Sequence, residues 1–391
     1  MIDRVHFENF KSLKDVALEL GRLTVLVGPN GCGKSSVLQA VHLLSQTGLR
    51  SRHPWISRLH ETFSGLSHPQ RLASPGRPTT MKLAMCETSG DELTVAIVVP
   101  RPDDAAGEQL EFSASVEGPG GPLRWSIPAK PGEPPEAQIP RAARFASVVY
   151  LHLDANEMIR TWIPESETPR MGFDGSGLAS TLAWMKGAAE DELAQITIDL
   201  AKVVPGVKRI RTLRERVTQR HMEKIDIDGQ PVWRPVDEAS LGDRFEIEFD
   251  DGTAVPADLL SEGTVLALGL LTKLREPTRP RLVLLDDIDR GLHIGAQAKL
   301  VQVLRDMLAL IADLQIVCTT HSPYLLDLFE PSEVRVLGLD EKRQTQARSL
   351  TEHPDFASWK FGTQTGELWA SLGDSWVASN GSKPSGSSAV R

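Results

Sequence analysis

The octapeptide Gly28-Pro29-Asn30-Gly31-Cys32-Gly33-Lys34-Ser35 satisfies the pattern G-x-x-x-x-G-K-[ST] at every fixed position. Few segments constrain a fold so tightly, because this pattern works only between a strand and a helix. The apolar run Leu23-Thr24-Val25-Leu26-Val27 precedes it and reads as a buried strand. Ser36-Val37-Leu38-Gln39-Ala40-Val41-His42-Leu43-Leu44 follows and reads as the helix. The glycines let backbone N–H groups converge on phosphate oxygens with no Cβ in the way. The helix N-terminus adds partial positive charge. Lys34 has the reach for β- and γ-phosphates, and the Ser35 hydroxyl suits Mg²⁺. The competing reading is a glycine turn that binds nothing; the matched flanks disfavour it.

Bulk properties narrow the class. A chain of 391 residues holds two or three domain-sized units, or one large α/β domain with insertions. The sequence contains no run of 18 apolar residues, which argues against a membrane span. Cys32, Cys86 and Cys318 are scattered, as expected of a reducing cytoplasm, and no Cys/His cluster has zinc-ligand spacing. A net charge of −9 argues against wholesale polyanion binding. Two segments are nevertheless locally basic: 48–82, and 207–224 with Lys208, Arg209, Arg211, Arg214, Arg216, Arg220 and Lys224. Each reads either as a nucleic-acid contact or as a solvated basic face.

Along the chain, residues 1–47 read as two strands, the phosphate loop and a helix. Residues 48–80 read as a long loop, and 81–116 as short alternating strands. Residues 117–141 are dense in Pro and Gly and read as an irregular excursion. Residues 177–204 carry helical spacing. Residues 207–256 return to strands, with a turn at Asp250-Asp251-Gly252. From 259 the pattern is tightly α/β: a helix from Glu262 to Leu274, a strand Leu282-Val283-Leu284-Leu285, a helix from Ile294 to Ile311 and a strand from Leu314 to Cys318. Sustained heptads are absent between Ser35 and Ser261, so no long coiled-coil arm is expected. The segment Gly366-Glu367-Leu368-Trp369 reads as a helix packed on the core.

The strand ending in Asp286 and Asp287 supplies carboxylates for the other half of a nucleotide site. It is expected to lie beside the phosphate-loop strand, aiming Asp286 at Mg²⁺ through water and Asp287 at the attacking water. Ser261 fits as the N-cap of the helix that follows, and Gly263 leaves that helix terminus open to a phosphate. Thr320-His321-Ser322-Pro323 places a histidine at the carboxyl end of a strand, where α/β sheets hold ligands. Singly, Ser261 reads as a mere cap and His321 as a loop histidine; order and spacing are what unite them.

Taken together, these motifs resemble an ABC-type ATPase head of the SMC, RecF and OLD group. The opening Val5-His6-Phe7-Glu8-Asn9-Phe10-Lys11-Ser12 resembles its N-terminal strands, and residues 28–36 its phosphate loop. Ser261-Glu262-Gly263-Thr264 resembles its signature motif, Asp286 through His293 its Mg²⁺ strand and D-loop, and His321 its switch histidine. The fold this implies is α/β: a P-loop NTPase with an ABC-type head, its mixed central sheet flanked by helices, plus an inserted lobe that is β-rich and helical. The core would comprise residues 1–47 and 257–340, the insertion 48–256, a C-terminal extension 341–376 and a disordered tail 377–391. The motifs leave 50–255 uncovered.

The resemblance implies ATP held by Asn30, Gly31, Cys32, Gly33, Lys34, Ser35 and Ser36, with Mg²⁺ bridging Ser35 and, via water, Asp286. Lys34, Asp287 and His321 would carry the chemistry. Two copies would face each other, so that Ser261, Gly263 and Thr264 of one complete the site of the other. ATP would close this homodimer and hydrolysis would open it. A separate effector such as a nuclease is implied, with DNA as a possible further partner, in repair or antiphage defence. The chain departs from the group at Asp287, where Glu is usual. One methylene shorter, Asp287 reaches the attacking water less well, which admits an ATP-sensing scaffold with little turnover. The group's Mg²⁺-sensing glutamine has no counterpart after the strand ending at Leu151, where His152 and Asp154 stand. A transporter-coupled ATPase is disfavoured by the signature and by the long spacing from Ser35 to Ser261.

Overall fold

The computed structural model describes residues 1–47, 80–98, 111–127, 144–145, 147–227, 230–359 and 364–378. The basic segment 48–82 lies almost wholly outside them. The chain divides into two compact units, 1–150 with 280–289 and 304–391, and 151–279 with 290–303.

The first unit is built on two six-stranded sheets. In β1 (Ile2–Phe10) and β2 (Leu13–Glu19) the buried pairs Val5/Phe7 and Val16/Leu18 alternate, while Asn9, with a φ of 60°, breaks the period so that Phe10 and Leu13 join the same core. They pair antiparallel through the two-residue turn Lys11-Ser12, where Lys11 takes a left-handed φ of 52°. The strands β4 (Thr80–Glu87), β5 (Glu92–Val98), β6 (Glu111–Glu117) and β7 (Leu123–Ile127) extend that sheet in the order β2-β1-β4-β5-β6-β7. The span 48–256, read from sequence as one insertion, therefore divides. Its early strands complete the N-terminal sheet because Met81, Leu83 and Met85 supply an apolar face matching that of β1.

The second sheet runs β15-β14-β3-β13-β12-β8. β3 (Leu23–Val27), β12 (Leu282–Leu285) and β13 (Gln315–Thr319) are buried at every position, as parallel strands covered on both faces must be. β8 (Val148–Leu151) forms one edge, and the antiparallel pair β14 (Val334–Leu339) and β15 (Thr345–Ser349) the other. Helix α1 (Lys34–Thr47) lays Val37, Leu38, Val41 and Leu44 into the core shared with β1, β2, β4 and β5. Contrary to expectation from sequence, the acidic strand does not lie beside the phosphate-loop strand. β13 intervenes, pairing in parallel with β3 on one side and β12 on the other. Near the C-terminus the helix Thr365–Leu372 buries Leu368, in accord with the sequence reading. Of the tail expected to be disordered from Val377, residues 379–391 lie outside the described residues; Val377 itself is buried beside Trp376 in the short helix Ser375–Ala378.

In the second unit, the helical stretch expected over 177–204 breaks into α2 (Leu178–Ala188) and α3 (Glu190–Val203) at Ala189, whose φ of −150° leaves the helical region. Glu190, Asp191 and Glu192 restart the helix by complementing its N-terminal dipole. Helix α4 (Glu262–Arg275) is buried from Gly263 onward, its charged end included. Lys273 pairs with Glu276 at 2.9 Å and Arg275 with Asp199 at 2.6 Å. Burial of those charges is tolerable only because they are paired.

The same unit carries a long antiparallel ribbon, β9 (Val207–Ile227) and β10 (Gln230–Phe249), extended at its base by β11 (Ala254–Pro256). Twenty paired residues span about 65 Å. Its two strands hold nine basic against eight acidic residues. Lys208 and Arg209 share Glu248, Arg211 faces Glu246, Arg214 faces Asp243, and Arg220 grips Asp237 with both arms at 2.7 and 3.0 Å. The basic segment read at 207–224 is thus largely neutralised across the ribbon, because register places β10 acids opposite it.

Candidate nucleotide-binding site

Parallel strands with matched register deliver their carboxyl ends to one edge of a sheet. Leu285 pairs with Cys318, and Cys318 with Val25. The glycine loop after β3, Asp286 after β12 and Thr320-His321 after β13 therefore emerge side by side at the strands' carboxyl ends, where open α/β sheets bind ligands.

The loop is held by its glycines. Gly28 adopts φ 145°, and a Cβ there would sit 2.1 Å from the Leu337 carbonyl oxygen. Gly33 adopts φ 106°, where a Cβ would meet the Thr345 hydroxyl at 2.6 Å. That hydroxyl buttresses the loop, donating to the Cys32 carbonyl at 2.8 Å and meeting Ser12 Oγ at 2.8 Å. A Cβ on Gly31, by contrast, would touch nothing within 4 Å, so the far side of the loop is open. Asn30 and Gly31 are exposed, Cys32 is buried, and burial pushes its thiol pKa up. The Lys34 ammonium, 6% exposed, donates to the Gly28 and Pro29 carbonyls at 2.9 and 3.1 Å. Ser36 stands half-buried in the first turn of α1.

Asp286 is the hub. Ser35 Oγ donates to its Oδ1 at 3.1 Å, buried Thr319 donates to the same oxygen at 2.7 Å, and Tyr150 Oη donates to Oδ2 at 3.2 Å. A hydroxyl and a carboxylate this close form a hard, all-oxygen donor set of the kind Mg²⁺ takes, so the residues fit that cation. Asp287 N–H donates back to Thr319 Oγ1 at 2.8 Å, which bends the chain and gives Asp287 a φ of 51°. Among non-glycine residues Asp and Asn tolerate this left-handed region best, so the backbone itself favours Asp over Glu here. His321 Nε2 lies 4.0 Å from Asp287 Oδ1, and both side chains are solvent-accessible. Thr320 donates to Asp289 at 2.7 Å. Lys34, Ser35, Asp286, Asp287 and His321 thus gather at one edge of one sheet.

Two contributors were missed by sequence reasoning. Thr319 reads as the start of the segment after the strand Leu314–Cys318, with no role of its own, and Tyr150 as part of an apolar strand. The phenol is buried, and its pKa is pushed up by that burial and by the charge of Asp286. The one available signal was a polar side chain at or beside the end of each strand.

His42, on α1, packs its ring 5.8 Å from that of Tyr150, and its Nδ1 is buried without a hydrogen-bond partner among the described residues. Burial lowers its pKa from 6.5 to about 4. The unfolded chain takes up this proton first, so stability is complete above pH 6.5 and falls as pH drops towards 4. Unfolding in urea should show about 2 kcal/mol less stability from this group at about pH 5 than at about pH 7.5. His42→Phe should flatten that slope; an unchanged slope would rule out His42 as its source.

The signature residues belong to the second unit. Ser261 caps α4, its Oγ accepting from Thr264 N–H at 3.3 Å and lying 2.8 Å from Thr264 Oγ1. Ser261 is exposed and Thr264 buried. Gly263 is buried, and a Cβ there would lie 2.4 Å from the Gly291 carbonyl oxygen. Its first role in the fold is close packing against the Gly291-Leu292 turn. Glu262 pairs with Arg290 at 3.2 Å.

Comparison with known proteins agrees with this architecture. The solved structure of an SmcHead bound to the C-winged helix domain of ScpA matches with a TM-score of 0.50 at 15% identity, over 89% of this chain and 98% of that one. An Smc head domain with an extended coiled coil, bound to the C-terminal domain of ScpA from Pyrococcus furiosus, matches with a TM-score of 0.51 at 13% identity, over 91% and 98%. The fold is therefore an SMC-head-like, ABC-type α/β fold. Two curated proteins share short segments: an OLD nuclease of Thermus scotoductus (strain ATCC 700910 / SA-01), 48% identical over 44 residues, and the Septu protein PtuA of Bacillus thuringiensis, 35% identical over 69. Those segments cover 11% and 18% of this chain, and only 8% and 17% of the two relatives. A family model described as "AAA domain, putative AbiEii toxin, Type IV TA system" matches residues 23–327, from the strand before the glycine loop to beyond His321. The chain belongs to this family of P-loop ATPase domains.

Proposed function

We propose that this chain is a Mg²⁺-dependent ATPase that works as a nucleotide-controlled dimeric switch. The observation that carries it is the convergence of Ser35, Thr319 and Tyr150 on Asp286 beside an open glycine loop. ATP would lie along residues 30–36 with its phosphates on the loop amides, and Lys34 would turn from the loop carbonyls to the β- and γ-phosphates. Ser35 and Asp286 would hold Mg²⁺, which supplies charge neutralisation for phosphoryl transfer. Asp287 would orient the attacking water and His321 would read the γ-phosphate. Ser261, Gly263 and Thr264 of a second copy would close over the same nucleotide.

The resemblance to the SMC, RecF and OLD group is what suggests a DNA-related setting, repair or antiphage defence, with a separate effector such as a nuclease; of the two relatives, one is named a nuclease. The compensated charge of the ribbon favours a protein partner over direct DNA contact by that element. A second reading, an ATP-sensing scaffold with slow turnover, is supported by Asp287, whose carboxylate is short and whose φ of 51° disfavours the longer Glu.

The test is steady-state ATP hydrolysis with Mg²⁺. Asp287→Asn retains the backbone preference and removes the carboxylate, and should lower turnover by roughly a hundredfold while leaving ATP binding intact. Equal rates for the two proteins would remove Asp287 from the chemistry. A wild-type rate no higher than that of Lys34→Ala would favour the scaffold.

A further inference from the structure

The reading of Asp286 as the Mg²⁺ carboxylate leaves open what holds that carboxylate still. A half-buried aspartate on a strand end has free rotation about χ1 and χ2 unless its oxygens are tied. Thr319 ties Oδ1 from the neighbouring strand, at 2.7 Å. Oδ2 is tied by Tyr150, from β8 on the other side of β12, at 3.2 Å. The phenol is itself fixed. Its ring is 4% exposed and packs against His42. Gln39 of α1 stands near enough to act on its hydroxyl, and Lys11 donates to Gln39 Oε1. Lys11 and Gln39 thus pair behind the phenol, and the phenol in turn holds Asp286. His152 and Asp154 follow β8, where the resembled group carries a Mg²⁺-sensing glutamine.

We propose that Tyr150 is a positioning residue for the divalent cation, orienting Asp286 from the end of β8 without touching metal or nucleotide. The inference rests on the nucleotide-site reading above. Groups that orient a metal ligand from behind are typically worth tenfold to a hundredfold in metal affinity. Tyr150→Phe keeps the ring, its burial and its packing on His42, and removes only the hydroxyl.

Two measurements test it. Mn²⁺ affinity, read by electron paramagnetic resonance on ADP-saturated protein, should weaken at least about tenfold in Tyr150→Phe, while nucleotide affinity in EDTA stays within about twofold of wild type. The chain contains only two tyrosines, Tyr150 and the exposed Tyr324. In 3-fluorotyrosine-labelled wild-type protein, with Tyr324→Phe assigning the signals, the Tyr150 resonance should shift when Mg²⁺ is added to the ADP complex. Unchanged Mn²⁺ affinity in the variant, or an unmoved Tyr150 resonance, overturns the proposal. If Tyr150→Phe does not fold, the fluorine spectrum of the wild type decides. A wild type that binds no nucleotide would instead overturn the site reading itself, so the two failures are distinguishable.

Discussion

Lys34→Ala should reduce ATP affinity by roughly a hundredfold, about 3 kcal/mol, as expected for loss of charge-assisted hydrogen bonds to phosphate. Lys34 is the loop's cation, only 6% exposed and held over the loop by the Gly28 and Pro29 carbonyls. Alanine keeps the helix, since it is the best helix former, and leaves the glycine geometry intact. It does leave two carbonyls short of a donor, so a thermal melt must accompany the titration. Calorimetric titration with Mg·ATP reads the effect. Affinity within a few-fold of wild type in a folded variant would mean that the loop does not bind phosphate through Lys34.

Ser261→Arg should leave ATP binding unchanged and abolish ATP-dependent association. Ser261 is exposed at the start of α4 and contributes one cap bond, so its replacement costs about 1 kcal/mol of stability. An arginine at that place would meet the partner's phosphate loop and fill the space the γ-phosphate needs. Sedimentation velocity with and without Mg·ATP reads the outcome. A variant that dimerises like the wild type would remove Ser261 from the interface, and one that loses ATP binding as well would place it inside its own subunit's site.

Much of this site was legible from sequence because its parts are local. The glycine loop, its strand and its helix are contiguous. Asp286 and Asp287 end a four-residue apolar run, and His321 follows another. What escaped were relations that only tertiary structure creates. Nothing in Val148-Val149-Tyr150-Leu151 says that its phenol meets a carboxylate 136 residues later. Nor does the sequence say that β13 sits between the two phosphate-site strands, since parallel order depends on crossovers and not on local pattern. The long ribbon shows the same limit. Its alternation was readable as strand, but its twenty-residue pairing and its cross-strand neutralisation of the basic segment depend on register. Gly263 was read as an opening for phosphate, whereas its packing against Gly291 is the feature the fold displays.

The central claim is that each nucleotide site is completed by another copy of the chain. It is tested most directly by mixing Lys34→Ala with Ser261→Arg. Neither variant alone should dimerise with Mg·ATP, because one lacks the loop lysine and the other carries a blocked signature. In a mixed dimer, the loop of Ser261→Arg faces the unaltered signature of Lys34→Ala, restoring one complete site of two. Sedimentation velocity should therefore show an ATP-dependent dimer in the mixture that is absent from either variant alone. A mixture as monomeric as its two components, under conditions where the wild type dimerises, would contradict the account.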